Sequence, residues 1–424
     1  MAYTASKLLS ANGISMKSPY PNATLSCKPA CCVEGRDWQR HRKATAPPFG
    51  EPNMGLVWTE CIPQATETLD FWKECSHIRQ TGKDVRRFSL HVLSTTGFGK
   101  SYSFDRSTDE ALREGDSLTY KDSLSLILEN AILIMLLGPK FLTGSLQQFL
   151  PKHWRLVGQA TSTFKKHISE SIKEEKALIA EGKPHRGNFI SAIGSQNLRG
   201  HDSIAITLTY VITHLAAYPE IQDWLAAEIR HVCKDKGATT YRDAFPKLKR
   251  CTAVVYETLR TSTPFPAMVK TSGPQPRSLK VGDDTLHLPA GMNIISTIPS
   301  VHPHPRYWGA DIDTWRPERW IETSHEASAV AFVFDSGTLY TPPQGAFLPW
   351  SEGDRACPGK KFAQVELTGA VSVLVEPVPE NGETMERARN RKMDMIKDSG
   401  MVLLIEILHP ERVVLRWVKR EARD

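Results

Sequence analysis

The residues with the clearest capacity for chemistry lie in one stretch, Trp350-Ser351-Glu352-Gly353-Asp354-Arg355-Ala356-Cys357-Pro358-Gly359. A single cysteine sits among glycines and a proline, with Arg355 two residues before it. A helical run from Lys360 to Ala370 follows directly. A loop of this kind can hold a thiolate still, and the N-terminus of the next helix favours the negative charge on sulfur. A soft thiolate is a good ligand for iron, and as an axial ligand it pushes electron density toward bound oxygen. A lone cysteine is more often a buried structural residue. The order Gly-x-Arg-x-Cys-x-Gly shifts that balance. Gly353 and Gly359 admit close backbone approach, Arg355 can pair with a carboxylate of a ligand, and Cys357 can hold the metal.

Three other groupings carry possible chemistry. Asp37 is placed to cap a helix through Trp38-Gln39-Arg40-His41-Arg42-Lys43. Trp38 and Arg42 then share one face, and an indole N–H beside a guanidinium suits a pair of carboxylates. A Trp–Arg stack on the surface is equally consistent with that spacing. Further on, Arg199-Gly200-His201-Asp202-Ser203 precedes the apolar run Ile204 to Tyr218. An acid followed by an alcohol in a buried helix can relay protons to a ligand, and the same two residues also start helices as caps. Gly194 to Leu198 is mostly polar, so a continuous helix is not expected there. Third, the helix Cys251 to Thr261 carries Glu257 and Arg260 three residues apart. Their apolar neighbours Val254, Val255, Tyr256 and Leu259 predict burial, and a buried ion pair needs further partners. Trp315-Arg316-Pro317-Glu318-Arg319-Trp320 can supply one.

The elements that must position these groups are mainly helical. Apolar spacing predicts helices over 58–77, 84–98, 117–137 and 151–182, then Ile204 to Tyr218, Pro219 to Cys233 and Cys251 to Thr261. The helix over 151–182 carries Lys165-Lys166 and Lys173-Glu174-Glu175-Lys176, which predicts one solvated face. Ser278 to Val281 and Thr285 to Leu288 flank Gly282-Asp283-Asp284, a hairpin turn, and Met292 to Thr297 is a further strand. Met401 to Leu408 and Arg412 to Val418 are expected to pair as a second hairpin. The fold class is therefore mainly α with small β-sheets. The sequence shows no internal repeat. Residues 1–33 are rich in Ser, Pro, Cys and Ala and predict a poorly ordered segment before one domain over 34–424.

Composition narrows the function classes. The chain has 424 residues, 40% hydrophobic and 24% charged, with a net charge of +6 and no long basic run, so nucleic acid is not an expected partner. The eight cysteines are scattered and do not form a disulfide scaffold. Cys27, Cys31 and Cys32 lack the downstream pair that a zinc site needs. Asn22-Ala23-Thr24 is a glycosylation sequon with no convincing signal peptide before it. No stretch reaches the roughly 18–20 apolar residues of a membrane span.

The Cys357 loop resembles the haem loop of the cytochrome P-450 family, with Trp350 where the family usually has Phe. Trp38 and Arg42 resemble the family's propionate-binding helix. Gly200, Asp202 and Ser203 match its central-helix motif, with Arg199 in place of the usual small residue. Glu257 and Arg260 resemble its Glu-x-x-Arg helix, which closes a triad with the arginine of a Pro-Glu-Arg segment, here Arg319. The groupings occur in family order and cover residue 34 to the end. Relative to the family pattern the chain is expected to lack the N-terminal anchor, the first strands and early helices, and turns at the start of the central helix. The helix after Cys357 is also expected to be short.

The resemblance implies an incomplete cytochrome P-450-like fold and a haem-thiolate monooxygenase. Such an enzyme binds haem b and iron and inserts one atom of O2 into a lipophilic small molecule. It implies Cys357 as the iron ligand, with Trp38, Arg42, Trp350, Arg355 and Gly359 around the haem. It implies Gly200 making room for oxygen, and Asp202 and Ser203 as the catalytic proton-delivering pair. It implies Glu257, Arg260 and Arg319 as a structural triad. The expected electron donor is an NADPH-dependent flavoprotein reductase, steered by Arg40, Lys43, Lys360 and Lys361. Family resemblance implies the endoplasmic reticulum membrane, and the lack of an anchor leaves a cytoplasmic location open. The other function reading is a non-catalytic haem binder or an inactive remnant, motivated by Arg199 and the missing helix turns. Phe265, Pro266 and Met268 follow the Glu-x-x-Arg helix and are candidates for lining the pocket, or for plain core.

Overall fold

The computed structural model describes residues 35–99, 101–104, 118–130, 133–134, 137–145, 147–180, 200–233, 240–322, 337–374, 377–378, 384–401, 404–412 and 414–417. The expected segment 1–33, its cysteines and sequon, and Arg199 with the polar run before it all lie outside these residues. The architecture is mainly helical, with two-stranded antiparallel sheets at the margins.

The longer helices are α1 (Gly35–Thr45), α2 (Met54–Glu74), α3 (Thr81–Phe98), α4 (Tyr120–Glu129), α5 (Lys152–Ala180), α6 (Gly200–Ala217), α7 (Pro219–Val232), α8 (Lys249–Thr261), α9 (Lys360–Val373) and α10 (Met385–Lys397). Helix α6 is the centre of the packing, against α3, α8, α9 and α10. Every residue from Ile204 to Ala217 is buried, as expected of a helix enclosed on all sides. Helix α2 buries Met54, Val57, Trp58, Cys61, Ala65, Thr68 and Trp72, a spacing of three and four that makes one stripe. That stripe meets α9. A Cβ on Gly369 would come 2.9 Å from Cys61 Sγ and 3.4 Å from the Trp58 ring, so glycine sets how closely the two helices approach. The Cys61 thiol donates to the Glu366 carbonyl at 3.3 Å across the same contact.

The helix expected over 117–137 is broken. Helix α4 ends at Glu129, and Asn130 turns its side-chain amide back onto the Leu126 carbonyl at 2.9 Å. A side chain that competes for backbone acceptors ends a helix this way. Helix α8 is well anchored at its start. The Glu228 carboxylate of α7 accepts the N–H groups of Arg250 at 2.8 Å and Cys251 at 3.2 Å, satisfying donors that a helix N-terminus leaves open.

The sheets are β1 (Ala267–Thr271) with β4 (Asn293–Thr297), β2 (Arg277–Val281) with β3 (Asp284–Leu288), β5 (Ile321–Glu322) with β6 (Thr338–Leu339), β7 (Pro377–Val378) with β10 (Arg416–Trp417), and β8 (Ser399–Met401) with β9 (Ile405–Ile407). The β2–β3 hairpin turns at Gly282, whose φ of 62° needs a residue without Cβ. The C-terminal pairing differs from expectation. The stretch 399–407 folds on itself, and Arg416–Trp417 pairs instead with Pro377–Val378. The reason is packing: Trp417 stacks on Trp72 of α2 with ring centroids 4.3 Å apart, which draws the last strand away from its neighbour in sequence. Helix α10 is a further element, outside the stretches read as helical from sequence; Thr384 caps it by accepting the Arg387 N–H at 3.3 Å.

Candidate active site

The Cys357 loop is tied to its own backbone before α9 begins. The Cys357 N–H donates to the Trp350 carbonyl at 2.8 Å, and the Ala356 N–H donates to Gly353 at 2.9 Å. Closing so short a loop requires positive φ at Gly353 (79°) and at Ser351 (60°), where a side chain makes that geometry costly. The Cys357 side chain reaches solvent, yet surrounding protein pushes its thiol up by desolvation, while the Gly359 N–H and Arg42 pull it down. The same N–H and guanidinium would hold a thiolate there.

Helix α1 supplies one wall. Trp38 and Arg42 share a face, but they do not pair with each other in the way a surface stack would. Arg42 Nη1 donates to the Ala356 carbonyl at 2.7 Å, and the guanidinium of Arg355 lies over the Trp38 ring at 4.7 Å. Two residues of α1 thus grip two residues of the loop. Trp350 packs between Tyr256 and Phe347, with ring centroids 5.9 and 6.2 Å away, and Lys360 Nζ lies 5.7 Å from the centre of its ring.

Two residues at this site escaped the sequence reading. Lys270 of β1 is 4% exposed, and its ammonium donates to the Glu352 carbonyl at 3.4 Å. Burial holds its pKa down to about 8, with Glu352 and Asp354 opposing and Arg355 adding to the shift. The available signal was a lysine inside a short strand directly after the Glu257–Arg260 helix. Phe49 is the second. It packs edge-on against Phe362 at 5.8 Å, and a Cβ on Gly359 would lie 3.9 Å from it. Apart from its aromatic type, nothing local marks it.

Behind the loop, Glu257 is fully buried and its carboxylate is saturated with donors. Arg260 reaches it through Nε and Nη2, each at 2.8 Å, and Arg319 Nε at 3.1 Å. The Trp320 indole N–H follows at 2.8 Å and the Arg316 backbone N–H at 2.9 Å. Arg260 also donates to the Ile312 carbonyl, and Arg319 to Asp311. A buried pair is tolerable on these terms, because no charged atom is left unmatched.

Gly200 opens α6, so Asp202 and Ser203 lie in its first turn. The Asp202 carboxylate is 3.4 Å from Arg86 Nε of α3, and Arg86 also pairs with Glu406 of β9. Of the basic residues placed near the loop, Arg40 pairs with Asp37 at 3.2 Å and Lys361 with Glu51 at 3.7 Å. Phe265 is partly exposed and Met268 is buried against Ile298 and Leu348.

The sequence model of the family described as cytochrome P-450 matches residues 21–377. The chain belongs to the cytochrome P-450 family. A cytochrome P-450 monooxygenase of Arthrobotrys oligospora is 26% identical over 92% of this chain and 75% of its own length. Cytochrome P-450 monooxygenase 124 of Postia placenta is 27% identical over 85% of this chain and 72% of its own. The phomenoic acid biosynthesis cluster cytochrome P-450 monooxygenase of Leptosphaeria maculans is 26% identical over 88% and 72%. A solved cytochrome P-450 superposes with a TM-score of 0.69 at 16% identity, covering 98% of this chain and 90% of that one, which establishes the fold. The family is one of haem-thiolate monooxygenases using O2, redox-partner reductases and lipophilic substrates.

The residues present fit a haem. The loop offers one soft sulfur with the Arg42 guanidinium acting on it, and Arg355 and Lys270 add two cationic groups in and against the same loop. A Cβ on Gly359 would meet Cys357 Sγ at 3.8 Å, an ordinary contact, and its φ of −85° suits any residue. Neither backbone nor protein packing therefore demands glycine at 359. Among the described residues no single helix is long and apolar enough to cross a membrane. The bent pair Asp202–Ala217 and Pro219–Val232 passes by length and composition only together, at 109°, and its first member is the enclosed α6.

Proposed function

We propose that this chain is a haem-thiolate monooxygenase that inserts one atom of O2 into a lipophilic small molecule and takes electrons from an NADPH-dependent flavoprotein reductase. The observation that carries this reading is the position of Cys357 in a loop gripped from α1 by Arg42, which donates to the Ala356 carbonyl, and by Trp38, whose ring lies under the Arg355 guanidinium. Bound haem b would supply the iron chemistry that activates oxygen, and Cys357 would hold the iron through its sulfur. Arg42, Arg355 and the Trp38 indole would hold the propionates, and the buried Lys270 ammonium adds a fourth candidate. The Gly359 N–H would hold the sulfur in its anionic form. Glu257, Arg260 and Arg319 would keep the floor of the site rigid. Asp202 and Ser203 are the candidates for moving protons.

The pairing of Asp202 with Arg86 favours a second reading, haem binding without turnover. A carboxylate committed to an ion pair is a poor proton shuttle until it is released. The deciding test is the absorbance difference spectrum of the reduced chain with carbon monoxide, beside Cys357→Ala. A thiolate-type band lost in the variant supports Cys357 as ligand. NADPH consumption with reductase and lipophilic candidates then separates turnover from binding alone. No haem signal in the parent chain overturns both readings.

A further inference from the structure

The Cys357 loop is fixed from a second side, by a residue that is neither in it nor in the Glu257 network. His302 follows the short helix Ile298–Val301 and is completely buried. The Leu348 N–H donates to its Nε2 at 2.8 Å, and its Nδ1 lies 3.1 Å from the Leu259 carbonyl. A backbone N–H can only donate, so Nε2 must carry the lone pair and Nδ1 the proton. The imidazole is therefore neutral and bridges α8 to the start of the loop. Burial pushes its pKa down to about 3, so the acceptor persists at any working pH. Its ring also packs on Phe347 with centroids 5.2 Å apart.

From His302 the hydrogen bonds continue toward the sulfur-bearing residue. The Leu348 carbonyl accepts the Ser351 N–H at 3.1 Å. That N–H belongs to the same peptide unit as the Trp350 carbonyl, which accepts the Cys357 N–H at 2.8 Å. Bonds in series polarise and align one another. With its own N–H committed to Trp350, Cys357 leaves the Gly359 N–H to face its sulfur.

We propose that His302 is a positioning residue for Cys357, holding the loop in the register that presents the sulfur by bridging the Leu259 carbonyl to the Leu348 N–H. The part that concerns a bound thiolate rests on Cys357 being the iron ligand; the anchoring of the loop does not. Without the imidazole, Leu348 is left with a buried N–H and no acceptor, so the loop must shift to satisfy it.

The test compares His302→Phe, which keeps an aromatic ring and loses both bonds, with His302→Gln, which keeps one donor and one acceptor. In the haem-free chain, amide hydrogen exchange of Leu348, Ser351 and Cys357 should quicken by about tenfold in His302→Phe and return most of the way in His302→Gln. In the haem-loaded chain, His302→Phe should lose part of the thiolate-type carbon monoxide band at equal haem content, and His302→Gln should recover it. Unchanged exchange and band in His302→Phe would overturn the proposal and leave the Cys357 reading intact. Loop exchange that responds in a parent chain with no thiolate band would leave the anchor standing and remove the ligand reading instead. If both variants speed exchange equally throughout the chain, His302 is a core residue only and the proposal fails.

Discussion

Arg42 and Ala356 lie 314 positions apart in sequence, and Arg42 Nη1 donates to the Ala356 carbonyl at 2.7 Å. That bond fixes the residue immediately before Cys357 to α1. It joins the two ends of the candidate site with one charge-assisted contact, where Trp38 and Arg355 form the second. The loop is therefore held from α1 on one side and from the Glu257 helix, through His302, on the other.

Arg42→Ala should weaken haem retention more than it weakens the fold. A hydrogen bond to a charged group contributes about 1.5–3 kcal/mol, so haem loss to a scavenger should quicken roughly ten- to hundredfold. Arg42→Lys keeps the charge without the planar fork and should recover only part of it. Equal rates in parent and Arg42→Ala would show that the guanidinium does not face the ligand.

Glu257→Gln should be among the most damaging single changes in the chain. It leaves the buried Arg260 guanidinium and the Arg319 side chain without their shared counter-charge. Breaking a buried pair by removing one partner costs about 3–5 kcal/mol. Thermal unfolding followed by circular dichroism should show a large drop in midpoint or no cooperative transition. A midpoint within a few degrees of the parent, as expected for a loss of about 1 kcal/mol, would contradict the assignment of this network to the core.

Stability should fall as pH rises from about 4.5 to about 8, through Glu366. This carboxyl of α9 is fully buried, and burial pushes its pKa from the ordinary 4.5 to about 8, with the Ser89 hydroxyl opposing. Between those values the unfolded chain has released the proton and the folded chain still holds it. The folded state binds more protons, so raising pH favours unfolding until the folded carboxyl ionises too. The effect is on the order of a few kcal/mol. Glu366→Gln should flatten this part of a pH–midpoint curve for the haem-free chain. A curve of the same slope in the variant would assign the dependence to other groups.

Two glycines on the same helix and its cap should respond differently to alanine. Gly369→Ala drives a methyl to 2.9 Å from Cys61 Sγ, an overpacking that costs about 1–3 kcal/mol whether or not haem is present. Gly359→Ala meets only ordinary contacts and should change the haem-free midpoint by less than about 0.5 kcal/mol. It should nevertheless lower haem content, because the added methyl lies beside the sulfur. Full haem content in Gly359→Ala would remove the argument that this position is kept open for a ligand.

What was legible in sequence was local. The 3.6-residue spacing of apolar side chains marked α5 and α6 to within a few residues, and Gly282-Asp283 marked the β2–β3 turn. Gly353, Arg355, Cys357 and Gly359, in that order, carried the family resemblance, which the match over residues 21–377 bears out. Burial of the Glu257–Arg260 pair was legible from its apolar neighbours, whereas Arg319 entered as the third member through the family resemblance; the structure brings all three together.

Other features depended on the path of the whole chain. Whether Arg42 turns to Trp38 or to Ala356, and that Arg355 takes the place over Trp38, follow from where α1 docks. Asp202 meets Arg86, which also pairs with Glu406, because α3 packs against α6 and carries Arg86 between the two carboxylates. The last strand leaves its sequence neighbour because Trp72 offers Trp417 a stacking surface. Lys270 and His302 have ordinary identities in ordinary local sequence, and only burial beside the loop gives them their partners. Periodicity and motif spacing report forces between residues close along the chain. The contacts that hold the Cys357 loop from outside, Arg42 to Ala356, Trp38 to Arg355 and His302 to Leu348, join residues tens to hundreds of positions apart, and they exist only once the core around α6 has closed.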